Sequence, residues 1–338
     1  MSDTVRPDDF LLTVVVPCYN EEAVIQTTYD RICKVLGNAE FQLQTVFIND
    51  GSEDGTERIL AEISASDPRV RVVTFARNFG HQPAVSAGLA NADGDAVVVI
   101  DADLQDPPEV ILEMIDRWRE GFDVVYGIRT NRKEAIWKRL CYGAFYKIFR
   151  RTAYIDAPLD AGDFSLIDKQ VLVQVNGLPE KNRFFRGLRA WVGFKQTGVC
   201  YDRQPRAAGI TKYPFLKLVR LAVDGIFNFS TVPLTIVFVL GLLMSIFSLI
   251  AASAVFILRI FDIAIFGQHL RDVQGFTSII LIVLLIGGIQ LICTGILGEY
   301  IGRIYQEVKS RPSYIVRQSP SHSPAFAGGG QPTAVHHG

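Results

Sequence analysis

The run Val97-Val98-Val99-Ile100 leads directly into Asp101-Ala102-Asp103-Leu104-Gln105-Asp106, and it limits the fold more than any other stretch of the chain. Four consecutive β-branched residues present apolar groups to both faces of a strand, which suits a strand buried on both sides in a parallel sheet. The apolar run stops where the carboxylates begin. In an open α/β sheet the ligand crevice lies beyond the carboxyl ends of the strands. Two carboxylates one residue apart, with an amide oxygen at Gln105, are the hard donors that Mg2+ or Mn2+ takes, and such an ion would bridge the phosphates of a nucleotide. An isolated Asp-x-Asp also fits a solvated acidic turn, so the surrounding pattern has to decide.

That pattern repeats. Leu11–Val16 reads as a strand ending in Pro17-Cys18-Tyr19-Asn20-Glu21-Glu22. Asn20 is placed to cap a helix over Ala23–Leu36, with Glu21 and Glu22 at its positive end. A second strand, Gln44–Ile48, ends in Asn49-Asp50-Gly51-Ser52-Glu53-Asp54-Gly55-Thr56, followed by a helix over Glu57–Ala65. Val70–Phe75 leads to Arg77-Asn78-Phe79-Gly80-His81 and a helix over Gln82–Ala90, where His81 reads as a neutral surface or capping histidine. Pro107-Pro108 opens a helix to Glu120, and Asp123–Tyr126 forms a fifth strand. This alternation predicts a doubly wound, mostly parallel α/β sheet with flanking helices. No GxGxxG or GxxxxGK[ST] follows the first strand, which sets aside the dinucleotide fingerprint and the P-loop.

The C-terminal half has a different character. Mean hydropathy of +0.22 with 49% hydrophobic residues is high for a soluble protein. The excess lies in two charge-free runs, Val232–Leu258 and Phe276–Gly298, each longer than the ~20 residues that span a bilayer. They predict transmembrane helices over 232–258 and 276–304, joined by an external loop over 259–275. Lys212, Lys217 and Arg220 precede the first run, and Arg303, Lys309 and Arg311 follow the second. That bias predicts a multi-pass protein of the inner (plasma) membrane with both termini cytoplasmic. Glu299 and Arg303 have the spacing of a helical ion pair. Trp137, Leu140, Cys141, Ala144, Phe145, Ile148 and Phe149 recur at helical spacing among Lys138, Arg139, Lys147, Arg150 and Arg151. This pattern suits an interfacial helix over 137–151, and 214–231 reads as a second, juxtamembrane amphipathic helix. Residues 1–9 form a polar tail without a signal peptide. The tail over 305–338, rich in Pro, Ser, Gly and Ala from Ser319, reads as largely disordered. A formal net charge of -1 gives no bias toward nucleic acid. Five scattered cysteines without CxxC spacing read as reduced thiols.

Three of these segments carry a resemblance. Val15-Val16-Pro17-Cys18-Tyr19-Asn20-Glu21-Glu22, Asn49 to Thr56 and Asp101 to Glu109 resemble family-two glycosyltransferases of the GT-A fold. Gly127-Ile128-Arg129, Ala161-Gly162-Asp163-Phe164, Phe184-Phe185-Arg186-Gly187-Leu188 and Gly209-Ile210-Thr211-Lys212-Tyr213 narrow this to the polyprenyl-phosphate glycosyltransferases, which include bactoprenol glucosyltransferases and dolichol-phosphate mannose synthase. The ordered set runs from about residue 11 to 316.

The resemblance implies a Rossmann-like GT-A domain over 10–213 and inverting transfer of one sugar from a nucleotide-diphosphate sugar to a polyprenyl (undecaprenyl) phosphate. Asp101, Asp103 and Gln105 would hold Mg2+ or Mn2+. Pro17, Tyr19, Asn20, Glu21 and Asp50 would grip the nucleoside, and Arg129 would pair with a phosphate. Asn49 stands where many relatives carry Asp, which shifts weight to Asp50. Asp163 joins Asp101 and Asp103 as a catalytic candidate, orienting the sugar or assisting as a base. A lipid monophosphate, with a second pKa near ~6, arrives as a dianion and needs cations and positioning more than a base. Lys138, Arg139, Arg206 and Lys212 are the candidates to receive it. The resemblance further implies a homo-oligomer, a downstream flippase and a periplasmic or lumenal glycosyltransferase. UDP-glucose is the preferred donor. A GDP-mannose-using enzyme and a non-catalytic membrane scaffold are the alternatives. A processive polysaccharide synthase would need Gln-x-x-Arg-Trp, where this chain has Arg186-Gly187-Leu188-Arg189-Ala190-Trp191.

Overall fold

The computed structural model describes residues 6–37, 39–130, 161–181, 183–203, 232–260 and 275–317. Strands and helices alternate as β1 (Leu11–Cys18), α1 (Ile25–Leu36), β2 (Gln42–Asn49), α2 (Thr56–Ser66), β3 (Val70–Thr74), α3 (His81–Ala90), β4 (Ala96–Val99), α4 (Val110–Arg119) and β5 (Val124–Arg129). Then come β6 (Ala161–Asp168), α5 (Lys169–Gly177), α6 (Phe185–Trp191) and β7 (Gln196–Tyr201), followed by two long helices, α7 (Val232–Ile260) and α8 (Phe276–Val308).

The strands form one seven-stranded sheet in the order β3-β2-β1-β4-β6-β5-β7. Only β6 runs antiparallel to its neighbours, β4 and β5; the other pairings are parallel. The expected α/β, mostly parallel architecture is therefore present. β6 and β7 were not foreseen as strands, and Asp163 lies on β6.

Alternation along the strands explains the apolar runs. Val14, Val16, Val98 and Ile100 face a core shared with Ile25, Ile32 and Leu36 of α1, Leu60 of α2 and Ile111 and Met114 of α4. Val15, Val97 and Val99 face the opposite core, built with Ala84 and Val85 of α3 and Val171 and Leu172 of α5. Helix α3 sits close on β1, because a Cβ at Gly88 would lie 2.1 Å from Val15 Cγ1.

The chain order reverses at β1 and β4, with β2 on one side of β1 and β4 on the other. A crevice opens beyond the carboxyl ends of strands at such a switch point. This places the ends of β1, β2, β3 and β4 around a single hollow.

Two local expectations are corrected. Asn20 does not cap α1, which begins at Ile25 without a side-chain cap. It instead adopts φ 55°, and its Oδ1 accepts a hydrogen bond from Glu53 N. Glu22 likewise accepts from Gly55 N, so the two acidic-loop residues tie the end of β1 to the turn after β2. The polar segment before β1 is also anchored. Arg6 donates to the carbonyls of Trp118 and Phe122 and to Asp123 Oδ1, lies 3.3 Å from Asp168 and covers the Trp118 ring. Arg6→Ala removes one donor from each of three acceptors, of which Trp118 O keeps Gly121 N, and leaves Asp123 and Asp168 short of a cation. It is expected to cost about 2 kcal/mol, read as a lower unfolding midpoint.

Glu299 and Arg303 pair at 2.9 Å on α8, as their spacing predicts. Among the described residues no helix offers a stretch long and apolar enough to cross a membrane, so the two transmembrane spans expected from the sequence find no support there. The segments 137–151 and 214–231 lie outside the described residues, so the two expected amphipathic helices are not described.

Candidate active site

The strand ends surround a cavity of about 700 Å³, lined from β1 by Pro17, Cys18, Tyr19 and Glu21, from β2 by Asp50, and from β4 by Asp101, Ala102, Asp103 and Gln105. Arg129, Asp163, Arg186 and Arg203 complete its far wall. Among the described residues, every predicted site residue except Asn20 therefore lines one cavity. Asn20 is not among the lining residues, since it turns toward the Ser52–Glu53 loop. Lys138, Arg139, Arg206 and Lys212 lie outside the described residues.

The Asp-x-Asp turn is held from three sides. Thr28 Oγ1 on α1 donates to Ala102 O at 2.7 Å. Gln105 N donates to Asp103 Oδ1 at 3.2 Å. Leu104 adopts φ 57° while buried, a left-handed conformation that costs a branched residue on the order of 1 kcal/mol and persists only where its surroundings fix it. This strain turns Asp103 and Gln105 to the same cavity. The next residue, Asp106, is 1% exposed and accepts from Tyr201 Oη at 2.5 Å, with Arg129 Nη2 3.7 Å and Arg203 Nε 3.9 Å away.

Asp50 lines the cavity and also fastens a neighbouring loop. Its two carboxylate oxygens accept from Phe79 N at 2.7 Å and Gly80 N at 2.9 Å, which fastens the loop after β3. Burial pushes this carboxyl above its usual range, although the two N–H groups oppose the shift. The contact needs glycine at position 51, where φ is 66° and a Cβ would lie 2.4 Å from the Arg77 carbonyl carbon. Asn49 is fully buried and accepts from Ser52 N, shaping the same turn from beneath.

The densest polar cluster surrounds Asp163, which is 6% exposed. Arg186 Nε donates to its Oδ1 at 2.8 Å, His81 Nε2 lies 3.1 Å from its Oδ2, and Gln82 Nε2 donates to Oδ2 at 3.1 Å. Gln82 Oε1 also accepts from Phe185 N, joining the starts of α3 and α6. Burial alone would raise the Asp163 carboxyl, but Arg186 and His81 outweigh it and hold the group well below the usual carboxylate range. Burial would lower His81; its hydrogen bond to Asp163 and the charges of Asp101 and Asp163 instead push it up to about 9. His81 is therefore a cationic member of the site, not the neutral surface histidine expected from the sequence. Asp163 is too weak a base to serve as the assisting base proposed for it.

His81 Nε2 also lies 3.9 Å from Asp101 Oδ1. Burial raises the Asp101 carboxyl, with Asp106, Asp163 and Asp103 adding to the shift and His81 opposing it. Asp101 thus sits in an excess of negative charge that invites a cation. Among the described residues no three His, Cys, Asp or Glu side chains form a metal site by themselves. That donor set still fits Mg2+, which is typically held by one or two carboxylates and completed by substrate phosphates.

His81, Gln82 and Arg186 were missed as site residues. Their signal was the rule that exposed Asp101: His81 and Gln82 follow the carboxyl end of a parallel strand. Arg186 lies in one of the segments that carried the resemblance, but no local pattern tied it to Asp163, 23 positions away in sequence.

The chain is similar to known proteins along most of its length. A model described as Glycosyl transferase family 2 matches residues 13–175. The Bacillus subtilis protein named "Uncharacterized glycosyltransferase YkcC" is 48% identical over 308 residues, spanning 91% of this chain and 93% of its own. The "SfII prophage-derived bactoprenol glucosyl transferase" of Shigella flexneri is 41% identical over 314 residues, 93% of this chain and 99% of that protein. The "Prophage bactoprenol glucosyl transferase homolog" of Escherichia coli K12 is 41% identical over 311 residues, 91% of this chain and 98% of its own. With identity of this order along nearly the whole length, and with the Asp-x-Asp at the switch point of a GT-A sheet, the chain belongs to glycosyltransferase family 2.

Proposed function

We propose that this glycosyltransferase moves one glucose from UDP-glucose to a polyprenyl phosphate, with inversion at the anomeric carbon. The observation that carries the reading is the His81–Asp163–Arg186 cluster beside Asp101. Arg186 and His81 hold Asp163 well below the usual carboxylate range, and Asp163 in turn holds His81 charged, so neither is suited to take a proton from an acceptor hydroxyl. An acceptor hydroxyl would need a base; a lipid phosphate dianion brings its own nucleophilic oxygen. The names of the Shigella relatives, carried to this chain, supply bactoprenol and glucose.

Asp101, Asp103 and Gln105 would hold Mg2+ or Mn2+. A divalent ion there supplies Lewis acidity toward the leaving diphosphate, worth several kcal/mol of charge stabilisation. Tyr19, 41% exposed at the cavity mouth, offers a ring face to the base, and Pro17 and Glu21 flank it. Arg129, Arg186 and Arg203 present guanidinium groups to the same hollow and suit the bidentate recognition of phosphate. In the reaction an acceptor phosphate oxygen bonds to the anomeric carbon as its bond to the diphosphate breaks, and the nucleoside diphosphate departs. Asp163 orients His81 and Arg186 throughout without exchanging a proton.

The membrane reading rests on sequence and helix length. α7 has 29 residues and α8 has 33, against the ~20 needed to cross a bilayer. Apolar side chains such as Phe247, 73% exposed, and Leu291, 75% exposed, stand out from them and suit a lipid surround. On this reading the basic flanks favour both termini and the catalytic domain on the cytoplasmic side. A sugar lipid made there needs a later step that moves it across the membrane.

The test is transfer from labelled nucleotide sugars to undecaprenyl phosphate by the full-length chain in detergent, scored in the organic phase. UDP-glucose is expected to give label that needs Mg2+ or Mn2+ and is lost with a chelator. No transfer from any common UDP- or GDP-sugar would remove the enzymatic reading, and transfer from GDP-mannose alone would replace the donor.

A further inference from the structure

The segment after α8 takes no direct part in the cavity, yet it is bonded to the catalytic domain at two points. Ala76 N donates to Ile315 O at 2.9 Å and Arg317 N donates to Thr74 O at 2.8 Å, around an antiparallel bridge between Phe75 and Val316. β3 is the outer strand on its side of the sheet, so residues 315–317 give partners to an edge that would otherwise be open. The Tyr314 ring stacks on Phe75 at 4.8 Å and 12°. Arg317 pairs with Glu57 in the first turn of α2. At the second point, both Glu307 carboxylate oxygens accept from Lys181 N at 3.2 Å. Lys181 Nζ donates to Arg311 O at 3.1 Å.

These two points lie on the two loops that deliver the cationic partners of Asp163. Phe75, under Tyr314, meets Phe79 edge-on at 5.8 Å. Phe79 and Gly80 are the residues fastened by Asp50, and His81 follows them. On the other side, Lys181 lies just before Phe184, the first flanking residue of α6, which carries Arg186.

We infer that residues 307–317 form a brace that sets His81 and Arg186 against Asp163, in which the Glu307 carboxylate, the Tyr314 ring and the backbone N–H of residue 317 are the positioning groups for the transfer reaction. The brace joins the end of α8 to the site, so the seating of that helix and the geometry at Asp163 are coupled. This rests on reading the cavity as the site of sugar transfer.

The test combines hydrogen exchange over 75–81 and 178–187 with kcat and KM for the nucleotide sugar, on the full-length chain in detergent. Tyr314→Ala removes the ring on Phe75. Arg317→Pro removes the backbone donor to Thr74, while Arg317→Ala keeps that donor and loses only an exposed ion pair of small worth. Tyr314→Ala and Arg317→Pro are expected to speed exchange in 75–81 and to lower kcat roughly tenfold with KM nearly unchanged, because misplacement remote from the chemistry acts on the transition state. Glu307→Ala should do the same through 178–187. Arg317→Ala and Tyr314→Phe should stay near wild type. Unchanged exchange and kcat in Tyr314→Ala and Arg317→Pro would overturn the brace. Exchange rising equally over the whole sheet, with a lower melting temperature, would also overturn it by reducing the segment to an edge cover. Absence of transfer by the wild-type chain would instead remove the reading of the cavity, and the exchange measurements would still decide whether the brace exists.

Discussion

Asp103→Ala is expected to lower sugar transfer by about 10²- to 10⁴-fold, the rate equivalent of losing several kcal/mol of charge stabilisation at the leaving diphosphate. The fold should survive the change. Asp103 is one of the charges that raise the Asp101 carboxyl, so its removal relieves like-charge repulsion at the end of β4. The Thr28 bond to Ala102 O, which holds the turn from α1, does not involve the Asp103 side chain. The melting temperature should therefore stay within a few degrees of wild type while activity collapses. Full activity in this variant would take Asp103 out of the mechanism.

Asp163→Asn is expected to cost about 10²- to 10³-fold, in the range seen when a preorganised electrostatic contact is lost. Its effects should include a change in His81. Asp163 provides the largest upward push on the imidazole, which reaches about 9 in the folded chain. With a raised folded value, the stabilisation from charged His81 is fully present below its ordinary 6.5 and is lost as pH rises through about 9. In Asp163→Asn the His81 pKa should fall, so the loss of stability with rising pH should be smaller and be complete at lower pH. An NMR titration of His81 alongside unfolding midpoints between pH 6 and 10 checks both, at intervals of about one unit. An unchanged His81 titration would show that Asp163 does not hold it charged.

Parallel strands announced themselves in the sequence because both faces are buried. Val14, Val15 and Val16 each enter a core, on alternate sides, so the run is apolar without interruption and its end is marked by polar residues. That is why Asp101 and Asp103 could be placed at a crevice without coordinates, while Pro17, Tyr19 and Asp50 were assigned to it through the family resemblance. β6 gave no such signal. Ala161-Gly162-Asp163-Phe164-Ser165 carries polar groups inward, and its pairing with β4 and β5 is long-range, with an irregular register between Tyr126 and Ile128. The role of His81 was hidden for the same reason, since its partner Asp163 is 82 residues away. Asn20 misled because an Asn before an amphipathic run has the chemistry of a helix cap, and only the neighbouring turn at Ser52–Glu53 diverts it. The attachment of residues 314–317 to β3 has no local periodicity from which it could be read.

The central claim is that the carboxylates serve the leaving group while the acceptor supplies a charged nucleophile. The most direct measurement compares undecaprenyl phosphate with the corresponding free alcohol, undecaprenol, as acceptors for the full-length chain, with UDP-glucose and Mg2+ or Mn2+ present. The account predicts transfer to the phosphate and none to the alcohol, whose hydroxyl finds no base among Asp163 and His81. Comparable transfer to the alcohol would contradict it.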